Sequence, residues 1–164
     1  MQLVALLSAA LLTTAAHPAN PAAVPAQQAA TLTITAPTTA NLGTAAIGGT
    51  RTTQLGTITV NAQQAPSWTA TVTATHLTTN GGTISNGNIR YWSGLATATS
   101  GAGTCTPGQP TAAQAVPLNA TRSAFTRTGG NNTHSCSWNP TLTITVPSTA
   151  VAGTYQATIT HSVA

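Results

Sequence analysis

No aspartate or glutamate occurs anywhere in the 164 residues, and lysine is missing as well. Arg51, Arg90, Arg122 and Arg127 are the only strongly charged side chains, which leaves a formal net charge of +4. The lack of carboxylates excludes much chemistry. Paired-carboxylate glycoside hydrolysis, an Asp-oriented catalytic triad and carboxylate-rich Ca²⁺ or Mg²⁺ sites each need anionic oxygens that this chain does not have. No ion pair between side chains can form. Four scattered arginines make no nucleic-acid patch and read as solvated surface groups.

Aromatic residues are scarce at 4%. The core is therefore expected from Val, Ile, Leu, Ala and Thr methyls, with Trp68, Trp92 and Trp138 as its large pieces. Long helical patterns are missing too: no segment keeps a 3.6-residue apolar period for three turns, so helix is expected to be minor.

What is present is alternation carried by β-branched residues, the pattern of strands with one buried and one exposed face. It marks strands at residues 32–36, 52–60 (TTQLGTITV) and 68–75 (WTATVTAT), with a shorter one at 89–92 (IRYW). Further strands are expected at 114–118 and 121–128, and a closing pair at 141–146 (TLTITV) and 154–160 (TYQATIT). Asn80-Gly81-Gly82 reads as a turn, and residues 93–110 and 129–133 read as loops. Seven to nine short strands in one domain give an all-β fold, an antiparallel β-sandwich. The domain is bracketed by a repeated phrase: residues 31–44 (TLTITAPTTANLGT) and 141–154 (TLTITVPSTAVAGT) agree at ten of fourteen positions.

Residues 3–16 (LVALLSAALLTTAA) form an apolar run of signal-peptide length, too short to span a bilayer, although Met1-Gln2 supplies no basic n-region. Residues 1–16 are read as a signal peptide, with cleavage after Ala16 or as late as Ala26. Residues 17–30 read as a Pro/Ala-rich linker and 31–164 as the folded domain. Secretion follows as the expected localisation, with no membrane span and no nucleic-acid partner.

In an oxidising compartment Cys105 and Cys136 are most simply a disulfide. The alternative is a thiol or metal site with His134, short of the usual four-ligand zinc set. No metal and no cofactor is expected. His76, His134 and His161 are read as strand-face or surface histidines, since no carboxylate exists to orient an imidazole and no G-x-S-x-G phrase occurs. Tyr91 and Trp92, beside Arg90, are the candidate ligand-binding residues: an exposed aromatic pair can stack on the apolar face of a sugar, or one of the two can belong to the core. The sequons Asn119-Ala-Thr121 and Asn131-Asn-Thr133 read as chance.

The ending Gly153-Thr-Tyr155-Gln-Ala-Thr-Ile159-Thr-His161-Ser-Val163 resembles the G-T-Y-x-A-x-L-T-W-x-L phrase that closes WxL-domain surface proteins of Gram-positive bacteria. Upstream, Ser67-Trp68-Thr69-Ala70 resembles that family's first motif, and Leu55-Gly56-Thr-Ile58-Thr-Val60 takes the place of the strand before it. The family-motif positions are thus Trp68, Ala70, Tyr155, His161 and Val163, with alanine, histidine and valine standing where the family has leucine, tryptophan and leucine. The resemblance implies a secreted, non-enzymatic β-sandwich held non-covalently on the cell wall. The implied partner is a wall polymer, peptidoglycan or an anionic wall glycopolymer, with other surface proteins as further partners. No LPxTG-like sorting phrase is present, which agrees with non-covalent retention. Self-assembly through exposed strand edges and a carboxylate-free Ser/His hydrolase stand as the other readings. Residues 152–155 also echo an immunoglobulin-type tyrosine corner.

Overall fold

The computed structural model describes residues 29–130 and 132–164. The expected signal peptide and all but the end of the Pro/Ala-rich linker lie outside the described residues. Within them the chain is an all-β antiparallel sandwich, with two single 3-10 turns (Asn86–Asn88 and Ala112–Gln114) as its only helical pieces.

The strands run β1 (Thr31–Thr35), β2 (Thr50–Gln54), β3 (Ile58–Gln63), β4 (Ser67–Ala74), β5 (Leu77–Thr79), β6 (Gly82–Ile84) and β7 (Ile89–Trp92). They continue with β8 (Ala96–Ser100), β9 (Thr104–Pro107), β10 (Val116–Pro117), β11 (Arg122–Thr128), β12 (His134–Trp138), β13 (Thr141–Thr145) and β14 (Ile159–Val163). Among the described residues fourteen strands replace the expected seven to nine. The surplus has two sources. β5, β6, β8, β9 and β12 lie outside the expected strands, and the expected strand at 52–60 is divided, one of three long extended segments that are each interrupted once.

The first interruption splits the expected strand at 52–60. β2 pairs with β13 and β3 pairs with β12, in two different sheets. The break falls at Leu55-Gly56, where the Leu55 N–H donates to Pro140 O at 2.9 Å and the Gly56 N–H to Asn139 Oδ1 at 3.1 Å. Opposite it, Asn139-Pro140 divides β12 from β13, because proline has no N–H to continue a ladder. The third interruption, Ser93-Gly94-Leu95, separates β7 from β8, which pair with β13 and β12 respectively. The sheets β1-β3-β12-β8 and β10-β7-β13-β2 therefore run end to end as one bent layer. The second layer is β14-β4-β11-β9, and β5-β6 is a small separate hairpin turning at Asn80-Gly81.

Residues 93–110, read as a loop, contain β8 and β9. Their Ala/Thr/Ser/Gly composition hid them, since side chains this small give little hydrophobic contrast between faces. β12 was likewise absent from the expected strands, although His134, Cys136 and Trp138 are all buried on one face with period two. The expected closing strand at 154–160 begins only at Ile159. Upstream of it Gln156 makes an isolated bridge to Thr78. Nor do the two closing strands pair: β13 lies in the first layer and β14 beside β4 in the second.

The core fills the space between layers. Ile58, Val60, Trp138, Leu142 and Tyr91 come from the first layer, and Trp68, Ala70, Val72 and Phe125 from the second. Phe125 stacks on Trp138 with centroids 4.7 Å apart, and the Trp68 indole N–H donates to His134 Nε2 at 3.2 Å. Cys105 of β9 and Cys136 of β12 form a disulfide, Cα to Cα 6.4 Å, that staples one layer to the other. Its cysteines are separated by 31 positions in sequence, a loop closure worth about 3–4 kcal/mol on the chain-entropy estimate.

Arg127 overturns the reading of all four arginines as solvated groups, for it is 1% exposed. A β-bulge at Ala124 lets Ala124 and Phe125 both face inward and sends Arg127 in after Phe125. With no carboxylate to pair with, the guanidinium is held by carbonyls. Nη1 donates to Ser135 O at 2.8 Å, and Nη2 to Ser100 O at 3.0 Å, Gly101 O at 3.1 Å and Ala102 O at 2.5 Å. Nη1 also lies 3.1 Å from Cys105 Sγ. Burial lowers the pKa of this guanidinium below its ordinary value.

Candidate functional site

The expected ligand-binding trio is not brought together. Period two on β7 turns Ile89 and Tyr91 inward and leaves Arg90 and Trp92 on the outer face. Tyr91 is fully buried and out of reach of any sugar in solution, which corrects its assignment as a surface stacking residue. Trp92 is half-buried. The exposed Arg90 donates through Nη2 to Ala115 O, fastening the segment before β10. A flat outer face with one half-buried indole offers no enclosure.

The family-motif positions do converge. β4 and β14 are neighbours, with Ala70 opposite Val163 and Val72 opposite His161. Trp68, Ala70, His161 and Val163 therefore face the sandwich interior from adjacent strands, and the chain's ending is locked on by reciprocal Thr69–Ala164 backbone bonds of 2.8 and 3.1 Å. Tyr155 lies before β14, and its hydroxyl donates to Val151 O at 2.9 Å, closing the preceding turn.

Among the described residues a large concave feature lies at one end of the sandwich, and the repeated phrase builds it. In both copies a proline (Pro37, Pro147) follows shortly after the TLTIT strand and ends it, and a loop then leaves the sheet. The first loop is shaped by the Asn41 side chain accepting the Gly43 N–H at 2.8 Å, with Gly43 at φ +76°. The second is shaped by an Ala150-to-Pro147 backbone turn of 3.0 Å and by Tyr155. Residues 36–47 and 151–158 form facing walls of a cleft of about 1010 Å³. Its floor comes from Ile58, Leu77, Ile84, Ile144 and His161. Ile47 and Val151, both half exposed at 50%, stand on the rims. Thr38, Thr39, Asn41, Thr154, Gln156 and Thr158 line the walls with neutral polar groups. An apolar floor with a few polar groups on the walls is the usual make-up of a ligand site, and the volume lies at the upper end of the range for small-ligand pockets.

Arg51 is the one arginine that lines the cleft. Its Nε donates to Leu42 O at 2.9 Å, and Gly43 allows the approach, since a Cβ there would lie 2.8 Å from Nη2.

His161 sits on the floor with Nε2 3.4 Å from the Tyr91 hydroxyl and the rings 5.8 Å apart. Burial lowers its pKa from 6.5 to about 4. Burial also pushes the Tyr91 phenol well above its ordinary range, opposed weakly by the Trp138 indole at a geometry outside a standard hydrogen bond. The linkage is simple to read. Unfolded His161 takes up its proton near pH 6.5 and folded His161 only near 4, so its contribution to stability is complete above 6.5 and is lost as pH falls through 4. Since the chain has no carboxylate side chains to obscure this, urea unfolding at pH about 7 and about 4 should show a loss of about 2 kcal/mol, scaled down for partial exposure. His161→Gln should flatten that dependence. An equally steep loss in the variant would place the proton uptake elsewhere.

The histidines occupy three separate places. His76 Nδ1 accepts the Asn86 N–H at 3.0 Å, while His134 accepts from Trp68 and donates through Nδ1 to Asn132 O at 2.8 Å. Among the described residues no Ser or Thr hydroxyl is hydrogen-bonded to a histidine ring, and no three His or Cys residues gather as metal ligands. No helix there is long and apolar enough to cross a membrane.

No family model and no curated protein matches the chain. Among solved structures, a family 123 glycoside hydrolase from Clostridium perfringens, studied for glycolipid glycan hydrolysis, aligns at a TM-score of 0.39 and 20% identity. The alignment covers 72% of this chain and 19% of that one, so the chain spans about a fifth of that protein's length. A likeness this low bears on neither fold nor activity.

Proposed function

We propose that the domain is a non-enzymatic module of a secreted surface protein that associates non-covalently with the cell wall, and that the cleft between residues 36–47 and 151–158 is its binding site. The observation that carries this reading is the cleft itself, an apolar floor between two loops grown from one repeated phrase. The interlayer disulfide favours an oxidising compartment. The cross-strand convergence of Trp68 and Ala70 with His161 and Val163 supports the resemblance to WxL domains, in which motifs at these places accompany wall association. Histidines engaged by Trp68, Asn86 and Tyr91 rather than by a nucleophile support a binding role over a catalytic one.

The test is sedimentation with purified Gram-positive cell walls at low and moderate salt. The wild-type chain should pellet with the walls. Ile47→Gln combined with Val151→Gln changes only rim residues, so it should stay folded while its affinity falls about tenfold, from the apolar area no longer buried. If the wild-type chain remains in the supernatant, wall association is wrong. Were Trp92→Ala to abolish pelleting while the rim variant left it intact, the site would lie on the outer face of β7 instead.

A further inference from the structure

Resting on that reading, we infer that the cleft recognises the peptide portion of the wall polymer through a free carboxylate held by Arg51, with small apolar side chains laid on the floor.

The inference begins with charge. The chain has four cationic side chains and no acidic one, so none of its arginines can be neutralised by a side chain of its own fold. Three of them are occupied elsewhere. Arg127 is enclosed by the carbonyls of residues 100–102 and 135. Arg90 and Arg122 fasten the segment around β10, Arg90 through Ala115 O and Arg122 through Pro117 O at 2.9 Å and Asn119 Oδ1 at 2.9 Å. Arg51 differs. It is exposed on the cleft wall, and among the described residues only its Nε–H has a protein acceptor. That one bond, to Leu42 O, anchors the planar group and leaves its Nη donors for a ligand. A guanidinium held in this way suits the two oxygens of a carboxylate, which it can bind in bidentate fashion.

The rest of the cleft says what is attached to that carboxylate. Ile144 and Leu77 on the floor and Ile47 and Val151 on the rims call for apolar groups, whereas a bare alkyl chain would leave the hydroxyls and amides of the walls unused. Thr39, Asn41, Gln156 and Thr158 can instead exchange hydrogen bonds with peptide N–H and C=O groups. His161, neutral through the physiological range, adds no charge on the floor and so does not compete with Arg51 for the anion. An extended peptide of small apolar residues ending in a free carboxylate meets all three demands.

The experiment titrates the full chain with N-acetyl-trialanine as the free acid, with its C-terminal amide and with inorganic phosphate, by calorimetry and by chemical-shift mapping. The acid should bind with shifts at Ile47, Val151 and His161, and the amide about 10- to 100-fold more weakly, as expected for loss of a charge-assisted hydrogen-bonded pair. Arg51→Gln should lose that preference for acid over amide while retaining the wild-type melting temperature. Walls whose carboxylates have been amidated should pellet correspondingly less of the wild-type chain. Equal binding of acid and amide, or binding by phosphate at the same site with none by the acid, would overturn the inference. If walls pellet the chain equally well before and after amidation, the carboxylate is wrong while wall association stands. If walls never pellet the chain, both fail together.

Discussion

Replacing Trp68 with alanine should cost about 3–5 kcal/mol in urea unfolding, a large fraction of the stability of an ordinary domain. The indole is 3% exposed and fills the interior beneath β12. Its loss removes a large apolar volume that the neighbouring strands, tied by disulfide and ladder, cannot collapse to fill. A second cost follows. The Trp68 N–H is the donor to His134 Nε2, and His134 is 1% exposed with its other nitrogen committed to Asn132 O. The ring cannot swing away to find water. Gly130 packs against it so closely that a Cβ there would lie 2.5 Å from Cε1. Trp68→Phe separates the two effects, because it keeps most of the volume and removes only the donor, an expected cost of about 1–3 kcal/mol. A Trp68→Ala chain as stable as the wild type would show that the layers are not held together at this point.

Arg127→Met should be of similar size, about 3–5 kcal/mol, for a different reason. Methionine fits much of the volume, and removing a desolvated cation that has no counter-charge is in itself favourable. What decides the sign is what remains. The carbonyls of Ser100, Gly101, Ala102 and Ser135 lose their shared donor; the first three belong to exposed residues that water can reach, so what is lost is the charge-assisted hydrogen bonds themselves, about 1.5–3 kcal/mol each. Together these bonds outweigh the desolvation recovered. Arg127→Lys should recover only part of the loss, since one ammonium cannot span Ser135 O and the 100–102 turn together. Hydrogen exchange at residues 100–104 is the discriminating readout. Amides there should open in the methionine variant well before those of β3 and β4. Protection equal to wild type would mean the turn is held by its own backbone.

Both residues were readable in part. Alternation places Trp68 inside with Ala70 and Val72, and the same rule puts Arg127 on the face of Phe125, two residues away. Treating every arginine as solvated passed over that signal. What could not be read was the partner of each: the β11 bulge, the carbonyls of a turn between two strands taken for a loop, and the histidine of an unrecognised strand. Tyr91 failed as a surface residue for a related reason. Period two says that Tyr91 and Trp92 face opposite ways, but only the pairing of β7 with β13 decides which way is in. The cleft was the least legible of all. The repeated phrase was visible in the sequence, yet nothing in it says that its two loops would stand across from each other.

The repeat shows where the division lies. TLTIT at residues 31–35 and TLTIT at 141–145 are the same pentapeptide, and in both the leucine and isoleucine turn inward, because side chains alternate on any strand and apolar ones leave water. Composition and alternation alone determined that this chain is a β-sandwich without acidic chemistry. Yet β1 is an edge strand bonded only to β3, its leucine and isoleucine half-covered, while β13 lies between β2 and β7 with both side chains buried. The number of neighbours a strand acquires is fixed by segments dozens of residues away, and five residues carry no record of them. The tertiary structure made that choice, and with it placed two copies of one loop on either side of Ile58 and His161.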